Sequence, residues 1–234
     1  RTGTEGTEGT INFDKMRSEA RQSAYKEAKA ATNVLNNGYS TNYSSATTAA
    51  DQAAISREIG SRMMASGSSA VQSLESGIRQ TSWGKNLTKE QMSQVIDTVS
   101  AGVSAGLSAP AIFKQIGLSF GFDTSSGTTE GDTSKKGIAM SEEDQRALQN
   151  TFQATNSSDL SKAREAALTE TDSRTFLSNA GVSETSQVGR TVQNAIEKTQ
   201  NYQKTMSATE SMGFTGTWTT RQVTGLLKNE NGEA

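Results

Sequence analysis

The sequence predicts a mainly α protein, an elongated bundle of long antiparallel helices with one short β element near residues 111–123. Three observations lead there. Apolar residues recur at steps of three and four along most of the chain, Ser- and Thr-led capping patterns precede several of those stretches, and Pro110 is the one proline able to interrupt them. The chain has 234 residues, of which 32% are hydrophobic and 6% aromatic. Such a composition allows only a thin core. The 23 Lys and Arg against 25 Asp and Glu leave a formal charge of -2, so the high net charge that accompanies disorder is missing.

Residues 1–11 repeat Gly-Thr-Glu and read as a disordered leader. The first helix is expected from Asn12, with Phe13, Met16, Ala20, Ala24, Ala28, Ala31 and Leu35 on one face and Asn37-Gly38 as its stop. After a polar loop, Thr48 to Asp51 offers a capping box for a second helix carrying Ile55, Ile59 and Met63. Gly67 ends or kinks it, Val71, Leu74 and Ile78 continue the period, and Trp83-Gly84 closes the block. Thr88 to Gln91 is a further capping box, and Met92, Val95, Ile96, Val99 and Val103 form the stripe of the helix that follows. Thr98 to Phe113 is uncharged, but it is too short and too rich in Ser for a membrane span. Its Gly102 and Gly106 suit close helix packing instead.

At Ile116, Leu118, Phe120 and Phe122 the apolar residues alternate with Gly117, Ser119, Gly121 and Asp123, which predicts a half-buried strand over 116–123. Such a strand needs a ladder partner, for which Ala111 to Lys114, the region of Trp218, or another protein's edge are candidates. Residues 124–137 hold no apolar side chain and read as a mobile loop between a first helical half, 12–123, and a second, 138–234. In the second half, Ser141 to Asp144 caps a helix bearing Ala147, Leu148 and Phe152. A helix over Ser157 to Asn179 follows, with Leu160, Ala163, Ala167 and Leu168 inward and Gly181 as its stop. The longest pattern then runs through Val188, Val192, Ala195, Ile196, Thr199, Tyr202 and Met206 to Gly213, and the tail from Thr217 to Lys228 reads as a short helix.

Function classes fall away in turn. With neither His nor Cys there is no imidazole base, thiolate nucleophile or zinc site of the usual type, so no cofactor, metal or catalytic residue is expected. Glu142 and Glu143 stand where a helix start favours acids, and no carboxylate cluster lies near Trp83 or Trp218. Gly131 to Lys136 lacks the order of a phosphate loop, and Asp123, Glu130 and Asp132 lack calcium-loop spacing. Lys and Arg are scattered and balanced by acids, which excludes a nucleic-acid stripe. Trp83, Trp218, Phe120 and Phe122 read first as core anchors and second as partner contacts.

The order of Ser82-Trp83-Gly84, Gly102 to Gly106, Gly117 to Phe122, Ser141 to Asp144 and Tyr202 to Gly213 resembles the C-terminal, periplasmic region of TraG-type conjugation proteins of F-like transfer systems. The resemblance extends from about Phe13 to Gly216. It implies a non-catalytic protein-interaction domain acting in mating-pair stabilisation and in the exclusion of redundant mating. Its partners would be other conjugation-machinery proteins and a recipient-cell exclusion protein. It also implies a periplasmic or cell-surface setting, as the soluble part of an inner-membrane protein whose membrane segment lies upstream of Arg1. A helical structural protein of a phage or surface fibre is the competing expectation. Because loops on a rigid scaffold commonly carry recognition, Thr124, Thr128, Glu130, Asp132, Lys135 and Lys136 are the expected partner-binding residues.

Overall fold

The computed structural model describes residues 12–38, 45–120 and 140–211, which form ten helices and no strand. The first, α1 (Phe13–Asn37), begins where Asn12 accepts a hydrogen bond from the Lys15 backbone N–H, as its cap requires. α2 (Ala46–Ala65) is capped by Ser45, three residues ahead of the expected Thr48, because Ser45 Oγ already accepts from the Thr48 N–H and the helix is under way before Thr48. The break at Gly67 separates α2 from α3 (Ser69–Arg79). A single turn, α4 (Ser82–Lys85), then brings Trp83 into the core, and α5 (Lys89–Ser104) starts at the Thr88–Gln91 capping box with both reciprocal bonds made.

α5 ends in a Schellman turn. Gly106 adopts φ +70°, its N–H donates to Val103 O, and the Leu107 N–H donates to Gly102 O. The helix-packing spacing of Gly102 and Gly106 is therefore cut at its second member. α6 (Ala109–Phe120) follows, and it corrects the expected β element near 111–123: the described part of that element is helical. Ile112, Phe113 and Ile116 lie at steps of one and three and are all buried, so the alternating residues also satisfy a helical face. Pro110 sits in the first turn, where no intrahelical N–H bond is lost, and Ser108 O accepts from Ile112 N. Packing against α5 decided between two periods that a five-residue pattern leaves equal, and Gln94 Nε2 reaches Ser119 O near the far end of α6. Residues 121–139, including the rest of the expected strand and the expected loop, lie outside the described residues, as do the leader and the tail.

α7 (Glu142–Ala154) is capped by Ser141 as predicted, but Asp144 does not reach back to complete the box. Its carboxylate accepts instead from Ser82 N at 3.0 Å and Trp83 N at 3.1 Å, capping α4 from another part of the chain. The single helix expected over Ser157 to Asn179 is two. α8 (Ser157–Thr169) ends before Asp172, whose side chain caps α9 (Ser173–Ala180) by accepting from Thr175 N. A mid-pattern Asp with a free N–H three residues on is a helix start, and that competing signal prevailed. Gly181 closes α9 in a second Schellman turn, with Leu177 and Val182 buried together. α10 (Gln187–Ser211) completes the described chain.

The core draws on both sides of the 121–139 segment, joining Leu35, Ile59, Leu74, Met92, Ile96 and Ile116 to Leu148, Leu160, Phe176 and Ile196. Trp83, 2% exposed, is a core anchor, and Phe120 packs on the same cluster. α1 and α10 run antiparallel: Arg21 meets Thr209, Tyr25 meets Tyr202 and Glu27 meets Lys198, so one number rises as the other falls. α2 crosses α5 at Gly60, where an added Cβ would stand 2.5 Å from the Ser93 carbonyl carbon. The close approach lets Ile55, Ile59 and Met63 reach full burial, worth roughly 1.5–3 kcal/mol each. α8 is fastened to α5 by the buried ion pair of Arg164 and Asp97 at 2.7 Å. No helix among the described residues is long and apolar enough to cross a membrane.

Candidate functional site

α1 carries two neighbouring stripes. Ala28, Ala31 and Leu35 face the core, and beside them Tyr25, Lys29, Thr32 and Asn36 recur at steps of four, three and four. The second stripe forms one wall of a groove of ≈ 530 Å³. The groove exists because α8 and α10 stand beside α1 while α5 stops short at its Schellman turn, leaving Ser104 and Ala105 at one end. Ser161, Arg164, Glu165 and Leu168 of α8 and Thr199 and Tyr202 of α10 supply the opposite side.

The polar groups of this groove are largely tied to the scaffold. Arg164 is held by Asp97 beneath it. Glu165 accepts from Gln203 Nε2 at 3.1 Å, and the same amide lies 3.1 Å from the Thr169 hydroxyl. Gln200 Nε2 donates to Thr169 O and Thr171 O, so α10 covers the carbonyl end of α8 and fixes its position. The Ser161 and Ser104 hydroxyls are 2.7 Å apart. Tyr25 and Tyr202 meet edge to face with centroids 5.6 Å apart, and Lys29 Nζ lies 5.7 Å from the Tyr25 ring centre. Asn36 Oδ1, shut off from solvent, receives no hydrogen bond from the protein.

This arrangement suits binding. Both carboxylates near the groove are held as hydrogen-bond acceptors, and no group of three metal-ligating side chains occurs among the described residues. The clearest perturbed titration lies elsewhere. Asp172 is held below its ordinary value by the Thr175 backbone N–H and then by the Thr175 hydroxyl, which makes it a helix cap.

The residues expected to bind a partner, Thr124, Thr128, Glu130, Asp132, Lys135 and Lys136, all lie outside the described residues. The groove was missed by sequence reasoning, which weighed the Trp and Phe residues and took Tyr202 as part of a helical face and of the stretch carrying the resemblance, not as a binding residue. The available signal was the Tyr25, Lys29, Thr32, Asn36 stripe flanking a small-residue stripe. Compared with known proteins, the chain matches no family model, no curated protein and no solved structure.

Proposed function

We propose that this chain is a non-catalytic protein-interaction domain of a bacterial conjugation protein of the type IV secretion class. It acts in mating-pair stabilisation and in the exclusion of redundant mating by recognising a protein of the other cell. The setting is periplasmic or at the cell surface, as the soluble part of an inner-membrane protein. The observation that carries the recognition role is the α1–α10 pair. Each helix has 25 residues and is therefore about 38 Å long. Apolar burial is concentrated at one end of the pair, where Ala28, Ala31 and Leu35 of α1 meet the core alongside Val188, Val192 and Ile196 of α10, while towards the other end the buried described residue is Thr209, held by Arg21. Towards Phe13 and Ser211 the two helices continue with Phe13, Met16, Tyr202 and Met206 half-buried between charged neighbours. A rigid, amphipathic two-helix arm of this kind presents contact area at low ordering cost, which favours protein recognition. The resemblance in sequence order supplies the conjugation assignment.

Mating assays with the full-length protein test this reading. Charge reversal on the outer arm, Lys15→Glu with Glu19→Lys, and exchange of residues 124–136 for the segment of a related transfer system are expected to lower mating-aggregate stability or to change exclusion specificity. Unchanged mating and exclusion in both variants would refute it. A stable trimer in light scattering would favour the competing assignment to a structural fibre.

A further inference from the structure

Asn37 and Gly38 form the one Asn-Gly pair among the described residues, and they stand at the end of α1. We infer that this pair is a site of spontaneous covalent modification, at which Asn37 becomes aspartate and isoaspartate as the protein ages. In the reaction the Gly38 backbone nitrogen gives up its proton and attacks Cγ of Asn37. A nitrogen–carbon bond forms, ammonia leaves with the side-chain nitrogen, and a five-membered succinimide ring results. Water then opens the ring at either carbonyl, which yields aspartate or, with the chain rerouted through the side chain, isoaspartate. Water enters and ammonia departs, so no oxidant or cofactor is consumed.

The structure favours the step at this place. Asn37 is exposed, so water reaches its amide, and Gly38 has no Cβ to shield the attacking nitrogen. The Gly38 N–H points to Asn36 O and Leu35 O, two and three residues back, so this nitrogen has left the four-residue ladder that holds a helix interior. Other asparagines lack these conditions. Asn156 uses its side-chain oxygen to cap α8, while Asn33, Asn150 and Asn194 sit inside helices and precede Val34, Thr151 and Ala195, whose side chains shield the nitrogen. Conversion puts a carboxylate at the C-terminus of α1, where the helix dipole is already negative and the last turn carries no basic residue. Leu35, buried two residues away, ties that turn to the core, so the change loosens the seat of α1 and makes the groove wall at Asn37 more acidic.

Ageing the full chain at mildly alkaline pH, with peptide mapping by mass, tests the inference. The second Asn-Gly pair of the sequence, Asn231-Gly232, supplies a reference rate in the same molecule. Asn37 is expected to convert in the same experiment, faster as the pH is raised, and an isoaspartate methyltransferase should label the product. Gly38→Ala retains a φ of -56° that alanine adopts readily, and it should slow conversion at Asn37 about tenfold while Asn231 converts as before. Asn37→Asp, which fixes one of the two products, should speed amide exchange in the last turn of α1 by about two- to fivefold. Complete conversion of Asn231 with Asn37 intact would overturn the inference, as would equal ageing of the Gly38→Ala variant, and unchanged exchange in Asn37→Asp would refute the loosening of α1. No partner enters these measurements, so they stand or fall apart from the recognition role.

Discussion

Replacing Gly60 by Ala tests the way α2 and α5 are packed, because helix propensity and tertiary contact give opposite signs. In an exposed helix the change would stabilise by about 1 kcal/mol. Here the new Cβ would stand 2.5 Å from the Ser93 carbonyl carbon and 2.9 Å from Ser93 Cα, whereas ordinary contact starts near 3.4 Å. The Ser93 carbonyl oxygen stands closer still, and all three obstacles are backbone, so the helices must separate by at least about 1 Å. Overpacking of this kind costs roughly 1–3 kcal/mol. The gap also forfeits a quarter to a half of the dispersion between facing atoms, here those of Ile59, Met63, Met92 and Ile96. Taking about 3 kcal/mol for the two together and returning about 1 for propensity leaves a net loss near 2 kcal/mol. With a urea slope of about 2 kcal/mol/M, the unfolding midpoint should fall by about 1 M at constant slope. A midpoint unchanged, or raised by about 0.5 M as propensity alone would give, refutes the close crossing.

Three further outcomes are expected. Asp97→Ala strands the Arg164 guanidinium in the core and should cost about 3–5 kcal/mol in urea unfolding, while the paired change Asp97→Leu with Arg164→Met should recover most of it; a single variant as stable as the parent would contradict the buried pair. Asp144→Ala removes the carboxylate that binds Ser82 N and Trp83 N and should cost about 2 kcal/mol, with faster amide exchange at those two residues as the specific sign. Asp172, whose carboxyl is lowered from 3.8, contributes its capping stability above that value and loses it as the pH falls through the lowered folded value; α9 amides should lose protection only in that acid range, and Asp172→Asn should abolish the dependence.

Helix starts were legible at Asn12, Thr88 and Ser141, each of which binds a backbone N–H three residues on, but the equally local caps Ser45 and Asp172 were hidden, one beside a competing Thr48 pattern and the other inside a continuous apolar period. The Gly181 stop was legible too. The stripe of Val188, Val192, Ala195 and Ile196 was readable because a long amphipathic period has one interpretation. Legibility failed where a signal was short or shared. The alternation at Ile116, Leu118 and Phe120 fits a strand and a helix alike, and Thr48 and Asp51 imitate a capping box inside a helix that Ser45 had already begun.

The groove was almost invisible in the chain because its walls come from four helices, and Tyr25 and Tyr202 are neighbours only after α1 and α10 pair. The sequence by itself determined the helical class, several of the caps and the identity of the core stripes, since these depend on hydrogen bonds and periodicities within a few turns. Tertiary structure alone decided that Gly60, and not Gly106, is where α2 and α5 come into close contact, that Asp144 caps α4 across the chain, and that Arg164 lies against Asp97 in the groove wall. Each of those depends on the position of a backbone tens of residues away, which no local period encodes.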